Sequence, residues 1–147
     1  MRNRIVFIVG FLMIFSIGCM APKSFMRTYG EQSSWKVVEV REDIKEEELW
    51  IKLVDTLSQK YDLEVIEKKS GYLRTSWSYT TVDFFKNIDD RYRSRILIKI
   101  NKIGQLRVSI KCESNWLSSG GWESGYDSIL LEDVYGDIQG KIGRVRR

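Results

Sequence analysis

The stretch "RYRSRILIKINKIGQLRVSIKCES" (residues 91–114) decides the fold, because its apolar and polar residues alternate on both sides of a short turn. Successive side chains of a β-strand point to opposite faces of a sheet. The alternation therefore predicts two half-buried strands, 91–100 and 106–114, joined by a turn at Lys102 to Gln105. Each strand has one apolar face and one face rich in arginine and lysine.

Two further segments enlarge this sheet. "WKVVEV" (35–40) predicts a short strand, and "LEVIEKKSGYLRTSWSY" (63–79) predicts a hairpin with its turn at Lys69-Ser70-Gly71, where the glycine supplies a positive φ. Residues 80–90 are less regular and lead into the strand that begins at 91. The alternation assigns to the apolar face Leu73, Thr75, Trp77, Tyr79, Ile96, Ile98, Ile100, Leu106, Val108 and Ile110.

Two amphipathic segments predict helices that cover the apolar face. In "DIKEEELWIKLVDTLSQKY" (43–61) the apolar residues recur at spacings of three and four. "DSILLEDVYGDIQGKIG" (127–143) shows a similar spacing, with Asp127 as its N-cap. The predicted order is β-α-β-β-β-β-α, and the predicted fold class is α+β, an antiparallel β-sheet packed on one face by two helices.

Residues 1–18 have the layout of a bacterial lipoprotein signal peptide. Arg2 and Arg4 precede the uncharged run 5–17, which as a helix would be about 20 Å long, short of the roughly 30 Å that a membrane span needs. The run leads into Ser16-Ile17-Gly18-Cys19, which resembles the bacterial lipobox, although Ser16 stands where an aliphatic residue is usual. We expect cleavage before Cys19 and lipidation of the new N-terminus. Two or more acyl chains would then hold the protein stably at a membrane.

An ordinary cleaved signal with a chance cysteine, or an uncleaved N-terminal anchor, are the alternatives. Under lipidation, residues 19–34 are the lipidated N-terminus and a flexible tether, and residues 35–147 are a single α+β domain. Met20 follows Cys19 where an aspartate would signal retention, which favours the outer membrane with the domain facing the periplasm. The membrane is then the first partner, bound through the lipid on Cys19.

Composition argues against several classes of function. The chain has no histidine, which removes the commonest general base and the histidine metal ligands. Cys112 alternates with polar residues in its strand, so we expect a buried thiol rather than a reactive one. The formal net charge of +4 includes Arg2 and Arg4, so the exported chain is too weakly charged for a nucleic-acid binder. We expect no enzyme activity, catalytic residue, cofactor or metal.

The polar face of the predicted sheet is the first candidate binding surface. Its basic residues are Arg91, Arg93, Arg95, Lys99 and Arg107. Such a face suits an acidic partner or anionic headgroups, and the C-terminal "GRVRR" (143–147) adds to the charge. The alternative is a solvated sheet surface whose charges discourage edge pairing.

The second candidate is the segment "NWLSSGGWESGY" (115–126), which its composition predicts to be a loop. Trp116, Trp122 and Tyr126 stand there among serines and glycines. Exposed tryptophan and tyrosine side chains stack on sugars or anchor protein interfaces. The alternative is that one or both tryptophans cover an end of the core, and we expect this of one of them.

The chain resembles the BamC-like envelope lipoproteins. The resemblance covers roughly residues 35–142 and lies in "ELWIKLVDTL" (48–57), "GYLRTSW" (71–77) and "RSRILIKI" (93–100), together with the lipidated N-terminus. It implies a helix-grip fold, in which an antiparallel sheet grips a long helix, and a setting beside the machinery that inserts outer-membrane β-barrels. BamC has two such domains and a long unstructured segment, whereas this chain has room for one. Only the fold and the envelope setting are carried over, and no functional residue.

Two functions are compatible with these features. The first is a membrane-anchored bacterial lipoprotein acting as a non-catalytic scaffold or accessory subunit of an envelope complex, with an envelope protein as partner; the resemblance implies a link to outer-membrane assembly. The second is a tethered binding module for peptidoglycan, another glycan or anionic lipid. A stoichiometric protein partner captured from membranes would support the first function. Saturable ligand binding with no protein partner would support the second.

Overall fold

The computed structural model describes residues 21–28, 35–81 and 88–144. They form one eight-stranded antiparallel sheet and two helices, which confirms the predicted α+β class. The strands are β1 (Phe25–Arg27), β2 (Lys36–Glu39), β3 (Leu63–Glu67), β4 (Tyr72–Thr75), β5 (Ser78–Thr81), β6 (Ile88–Asn101), β7 (Arg107–Ser118) and β8 (Gly121–Asp127). The helices are α1 (Glu46–Ser58) and α2 (Ser128–Ile142).

The long β6–β7 hairpin is the centre of the sheet. The strand order is β1-β8-β7-β6-β4-β3, with β2 also paired to β7 and β5 also paired to β6. On its side away from β6, strand β7 pairs with β2 from Arg107 to Ile110 and with β8 from Ser114 to Ser118. These two partners divide the sheet into a helical half, around Ile98 and Ile110, and a far half, around Tyr92 and Trp116.

The helical half contains the main hydrophobic core, as the alternation predicts. Buried side chains of α1, α2 and the sheet meet there in one cluster. Those from the helices are Leu49, Trp50, Leu53, Leu57, Leu131, Val134, Ile138 and Ile142. Those from the sheet are Val38, Leu73, Ile96, Ile98, Ile100, Val108, Ile110 and Cys112. Cys112 is the small buried hydrophobe that its strand position predicts, and burial raises the pKa of its thiol.

The far half contains a second, smaller cluster that is mainly aromatic. Phe25, Tyr92 and Trp116 are buried there, and Ala21 packs against them. The rings of Phe25 and Tyr92 meet edge to face, with centroids 5.9 Å apart. Strand β1 supplies Phe25, so the N-terminal segment packs on the inner face of the sheet. The sequence predicts a flexible tether for this segment.

Asp127 joins this aromatic cluster to the start of α2. Its Oδ1 accepts hydrogen bonds from the backbone N–H groups of Ile129 (3.1 Å) and Leu130 (3.0 Å), which confirms the predicted N-cap. Its Oδ2 accepts from the hydroxyls of Tyr92 (2.7 Å) and Ser24 (2.9 Å). One carboxylate thus connects the residue before β1 with β6, β8 and α2. Burial raises the pKa of Tyr92 to about 12, so its hydroxyl remains a donor.

The structure corrects the predicted order by adding β1, β5 and β8. Residues 21–28 belong to the folded body, because Phe25–Arg27 pairs with β8, so the predicted tether over 19–34 is wrong for these residues. Residues 115–126 are not a loop, because they form the end of β7, a short turn and most of β8. Backbone pairing with neighbouring strands outweighs the weak strand propensity of their serines and glycines.

Candidate binding surface on the outer sheet face

The predicted basic residues lie on the outer face of the sheet, opposite the helices. Along β6, Arg93 and Arg95 alternate with buried neighbours such as Ser94 and Ile96. Lys99 and Arg107 lie on the same face near the β6–β7 turn, at the other end of the hairpin. The five residues therefore do not form a single patch, because only Arg91, Arg93 and Arg95 belong to the far half.

A β-bulge between β4 and β5 changes which side chains reach this face. Leu73 pairs with Ile98 and Ser78 pairs with Ser94, so one strand has one more residue than the other between these pairs. The extra residue falls at Ser76–Trp77, which is the only break between the two strands. A single inserted residue reverses the inward and outward positions that follow it.

The bulge overturns the predicted placement of Trp77 and Tyr79 on the apolar face. Tyr79 pairs with Arg93 in the sheet and is exposed. Trp77 contacts the guanidinium groups of Arg93 and Arg95 on the outer face. Strict alternation does not allow for the inserted residue, and it therefore places Trp77 and Tyr79 on the apolar face instead of the outer face.

Trp77, Arg93, Arg95 and Trp122 form a stacked group that we call the Trp–Arg ladder. The Cζ of Arg93 lies 4.5 Å from the ring centroid of Trp77 and 4.7 Å from that of Trp122. The Cζ of Arg95 lies 4.3 Å from the same centroid of Trp77. Each cation–π contact of this kind contributes about 0.5–1 kcal/mol when exposed and more when desolvated. The ladder connects the break between β4 and β5 with β6 and β8 across the outer face.

Arg93 is the arginine of the ladder that lacks an acidic partner among the described residues. Its guanidinium lies between two indole rings, and its Nε is buried without a hydrogen-bond acceptor in this part of the chain. Stacking against the rings leaves the Nη donors at the edge of the guanidinium plane for a ligand, whereas the buried Nε is not open to one. This geometry fits a carboxylate or phosphate better than an uncharged group.

Glu113 neutralises much of the remaining positive charge. Its Oε2 lies 2.7 Å from Nη2 of Arg95, and its Oε1 lies 2.9 Å from Nζ of Lys111. Partial burial opposes ionisation of Glu113, but the hydrogen bonds and charges of Lys111 and Arg95 outweigh it and lower the pKa of this carboxyl group. The sequence prediction counted only the basic residues of the face, although the same alternation places Glu113 beside Lys111.

A groove of about 340 Å³ adjoins the ladder. It lies on β7 where the pairing with β2 has ended and the pairing with β8 has not begun, near residues 111–113. Its lining combines aromatic, charged and neutral polar side chains, including Trp77, Arg95, Lys111, Asn115, Ser124 and Tyr126. Such a mixture is common where a polar ligand with flat faces is bound.

The structure separates the three aromatic residues predicted from the Trp-rich segment. Trp116 is 3% exposed and belongs to the inner aromatic cluster, so it is the tryptophan that covers the core. Trp122 is 47% exposed and forms one end of the ladder. Tyr126 packs partly against the main core and also lines the groove. Only Trp122 and Tyr126 therefore reach the outer surface.

The described part of the basic tail, residues 143–144, does not join the ladder. Arg144, the last described residue, forms an ion pair with Glu42, with Nη2 and Oε1 3.0 Å apart. Its backbone N–H donates to the carbonyl of Glu39 in β2 at 2.8 Å. The remaining predicted tail residues, 145–147, lie outside the described residues, as does the proposed lipidation site Cys19.

Comparisons with known proteins give no family for the chain. No protein-family model matches it, and no curated protein matches it. Among the described residues, no group of three or more Asp, Glu, His or Cys side chains is arranged to hold a metal ion. A function for the outer face therefore depends on the geometry of the ladder and the groove.

Proposed function

We propose that this protein is a lipid-anchored bacterial envelope lipoprotein that acts as a non-catalytic scaffold or accessory subunit and docks a partner through the Trp–Arg ladder. The observation that supports the docking surface is the guanidinium of Arg93, stacked between Trp77 and Trp122 with no acidic partner in the described ranges. Tryptophan and arginine are the residues most enriched in protein-binding hot spots. The partner is an envelope protein that presents a carboxylate to Arg93.

The anchor in this proposal comes from the signal sequence and Cys19, and the setting is the periplasmic side of the outer membrane. No helix in the described ranges has the length and apolarity of a membrane span. Attachment through acyl chains on Cys19 would then provide the membrane contact. A place beside the outer-membrane assembly machinery is the setting that the resemblance to BamC-like lipoproteins supports.

The experiment has two parts, one for the anchor and one for the surface. Mass spectrometry of the N-terminal peptide from membranes should find Cys19 as the first residue with acyl mass attached. Crosslinking in intact membranes followed by purification should recover one stoichiometric partner, and Arg93→Gln should reduce its recovery several-fold. Lys99→Gln is the matched control, because Lys99 is a basic residue of the same face that lies outside the ladder.

Two results would contradict the proposal, and they affect different parts of it. An intact initiator end without acyl mass would remove the anchor. Equal partner recovery with Arg93→Gln and Lys99→Gln would remove the ladder as the docking surface, even if the protein is lipidated.

The groove supports the second function, a tethered module for peptidoglycan or another glycan. Its aromatic lining from Trp77 and Tyr126 provides flat surfaces for sugar rings, and Asn115 and Ser124 provide hydrogen-bonding groups. Saturable co-sedimentation with isolated peptidoglycan, weakened by Asn115→Ala and accompanied by no crosslinked protein, would support this function over the scaffold. Recovery of a stoichiometric protein with no peptidoglycan binding would exclude it.

A further inference from the structure

A second cleft lies on the inner face of the sheet, the face opposite the Trp–Arg ladder, and has a volume of about 280 Å³. Its floor is formed by β4 and β6, and its rim includes Tyr61 after α1, the first turns of α2 and Ser78 of β5. The helices cover the helical half and the aromatic cluster covers the far half, so this cleft is the gap between the two covered regions. We call it the inner cleft.

The floor of the inner cleft is buried, and its polar groups are satisfied within the protein. Thr75, Ser94 and Ile96 are each at most 3% exposed. The Oγ1 of Thr75 accepts a hydrogen bond from the backbone N–H of Ile96 at 3.0 Å, and the hydroxyls of Ser94 and Ser114 lie 2.7 Å apart. Because these groups hold one another in place, the cleft is formed before a ligand binds, as is usual for small-molecule sites.

The rim of the inner cleft carries apolar surface that the fold leaves uncovered. Ile129, in the first turn of α2, is 61% exposed, and Leu130 and Tyr61 are only partly buried. Burial raises the pKa of Tyr61, so its hydroxyl stays a neutral hydrogen-bond donor. The rim therefore offers contact surface for an apolar group of a ligand.

Two aspartates give the inner cleft a negative charge. The oxygens of Asp127 accept four hydrogen bonds within the fold, so this buried carboxylate contributes its charge but no free acceptor. Asp133 is exposed at the rim, and no basic side chain of the described residues forms an ion pair with it. Arg95 borders the cleft through its backbone, because its guanidinium stacks on Trp77 on the outer face. The side chains around the cleft thus present carboxylates without a compensating cation.

The surroundings of the inner cleft strengthen its preference for positive charge. Lys60, which follows α1, is engaged by Asp137, with Nζ and Oδ2 2.5 Å apart. The last turn of α1 contains no basic residue, and the partial negative charge of a helix C-terminus favours a nearby cation. The partial positive charge at the start of α2 is compensated by Asp127, which caps that helix.

We propose that the inner cleft binds a small molecule that carries a primary ammonium group on a compact apolar body. The ammonium lies against Asp133, and the apolar body contacts Ile129 and the ring of Tyr61. A carboxylate or phosphate ligand would face two like charges in the same cleft, and a neutral ligand would gain no ion pair with Asp133. The site goes beyond the proposed docking function, because it lies on the other face of the sheet and depends neither on Arg93 nor on lipid at Cys19.

Probes of matched shape test the charge preference: cyclohexylamine, cyclohexanol and cyclohexanecarboxylate. NMR of the isotope-labelled full chain follows the backbone amides of Ser94 and Ile129 at the cleft, with Ile103 in the β6–β7 turn as the remote control. We expect cyclohexylamine to shift the first two signals saturably, cyclohexanol to bind several-fold more weakly, and cyclohexanecarboxylate not to bind. Equal affinity for the amine and the alcohol would overturn the role of the carboxylates. Absence of a saturable shift with the amine would overturn the site itself.

Paired variants locate the bound ammonium. Asp133→Asn should weaken cyclohexylamine binding several-fold, whereas Glu132→Gln should leave it unchanged, because Glu132 is the preceding acid of α2 and does not border the cleft. Ser78→Trp should abolish binding by placing a large side chain at the rim, and Tyr79→Trp, on the outer face of the same strand, should not. Equal effects of Asp133→Asn and Glu132→Gln would overturn the proposal. Retained binding in Ser78→Trp with an unchanged urea midpoint would also overturn it.

Discussion

The helical half and the far half of the sheet are stabilised by different kinds of contact. In the helical half, aliphatic side chains such as Ile98 and Leu53 pack between the sheet and the helices. In the far half, the stabilising contacts are aromatic packing and hydrogen bonds of buried polar groups, including the 2.7 Å contact between the hydroxyls of Ser94 and Ser114. Apolar burial is non-directional, whereas these hydrogen bonds require particular partners. The comparison indicates that the helical half supplies most of the stability and the far half positions the N-terminal segment.

The largest expected effect concerns the helical half. Ile98 is fully buried in the central hairpin. We expect Ile98→Ala to lower the free energy of unfolding by about 2–5 kcal/mol, because the substitution removes buried methyl and methylene groups and leaves a cavity. Urea unfolding measures the change. Ile103→Ala, in the exposed turn of the same hairpin, should change it by less than about 0.5 kcal/mol, and equal losses would contradict the position of the core.

The next largest effect concerns the polar network of the far half. Asp127→Ala removes a helix N-cap and leaves the buried hydroxyl of Tyr92 without its acceptor. From typical values for these two losses, we expect the free energy of unfolding to fall by about 2–4 kcal/mol. Trypsin should also cleave after Arg27 several-fold faster, since Ser24 loses its partner on Asp127. Asp133→Ala, an exposed carboxylate of α2, is the control.

Trypsin digestion separates a local effect from a global one. If Asp127→Ala and Asp133→Ala are cleaved after Arg27 at the same rate under native conditions, Asp127 does not hold β1 in place. Strand β1 would then be held by the packing of Phe25 and by its pairing with β8.

A smaller effect should follow from changing the glycine that lies against β1. A Cβ at Gly125 would lie 2.6 Å from the Phe25 ring, and also too close to the carbonyl oxygen of Met26. We expect Gly125→Ala to destabilise the protein by about 1–3 kcal/mol through overpacking, measured as a lower urea midpoint. Gly136→Ala in α2 should instead stabilise it by about 1 kcal/mol, because a Cβ there meets no neighbour and alanine has the higher helix propensity. The same sign for both substitutions would contradict close packing between β1 and β8.

The smallest effect is the pH dependence contributed by Glu113. Its folded pKa is lowered below the ordinary 4.5, so its stabilising contribution is present above that value and is lost as the pH falls through the folded pKa. Because the side chain of Glu113 is still 26% exposed and its ion pairs are partly screened by solvent, the contribution should be about 1 kcal/mol or less. Urea unfolding at about pH 7 and about pH 3 should show a slightly smaller acid-induced loss in Glu113→Gln than in the unaltered protein. Glu42→Gln, in an exposed ion pair, is the control.

The sequence is most informative where one physical effect dominates. Alternation along 91–114 predicts the central hairpin and the face that Ile96, Ile98 and Val108 occupy, because burial on one side of a strand requires that pattern. The positive φ of Gly71 (66°) and the cap by Asp127 are also confirmed. These features depend on contacts that are local in sequence or on repeated burial, and both leave a pattern in the residue order.

The features that sequence reasoning missed depend on pairing between distant segments. Strand β1 has three residues and pairs with residues about a hundred positions away, so no local pattern indicates it. The ladder requires the bulge at Ser76–Trp77, which turns Trp77 toward Arg93, and the folding of residues 115–126 into strands, which brings in Trp122. Glu113 is different, since the alternation already places it on the outer face.

The pairing of β1 with β8 also has a mechanical consequence for a domain pulled by its N-terminus. Because the strands are antiparallel, Phe25 faces Asp127, and the chain enters β1 and leaves β8 at the same end. If the N-terminus is attached and a partner holds the rest of the sheet, tension would separate the paired residues of β1 and β8 one pair after another. The first pair under tension is the one beside Ser24, Tyr92 and the capped helix. The side-chain hydrogen bonds to Asp127 thus lie beside the pair of β1 and β8 that would have to separate first.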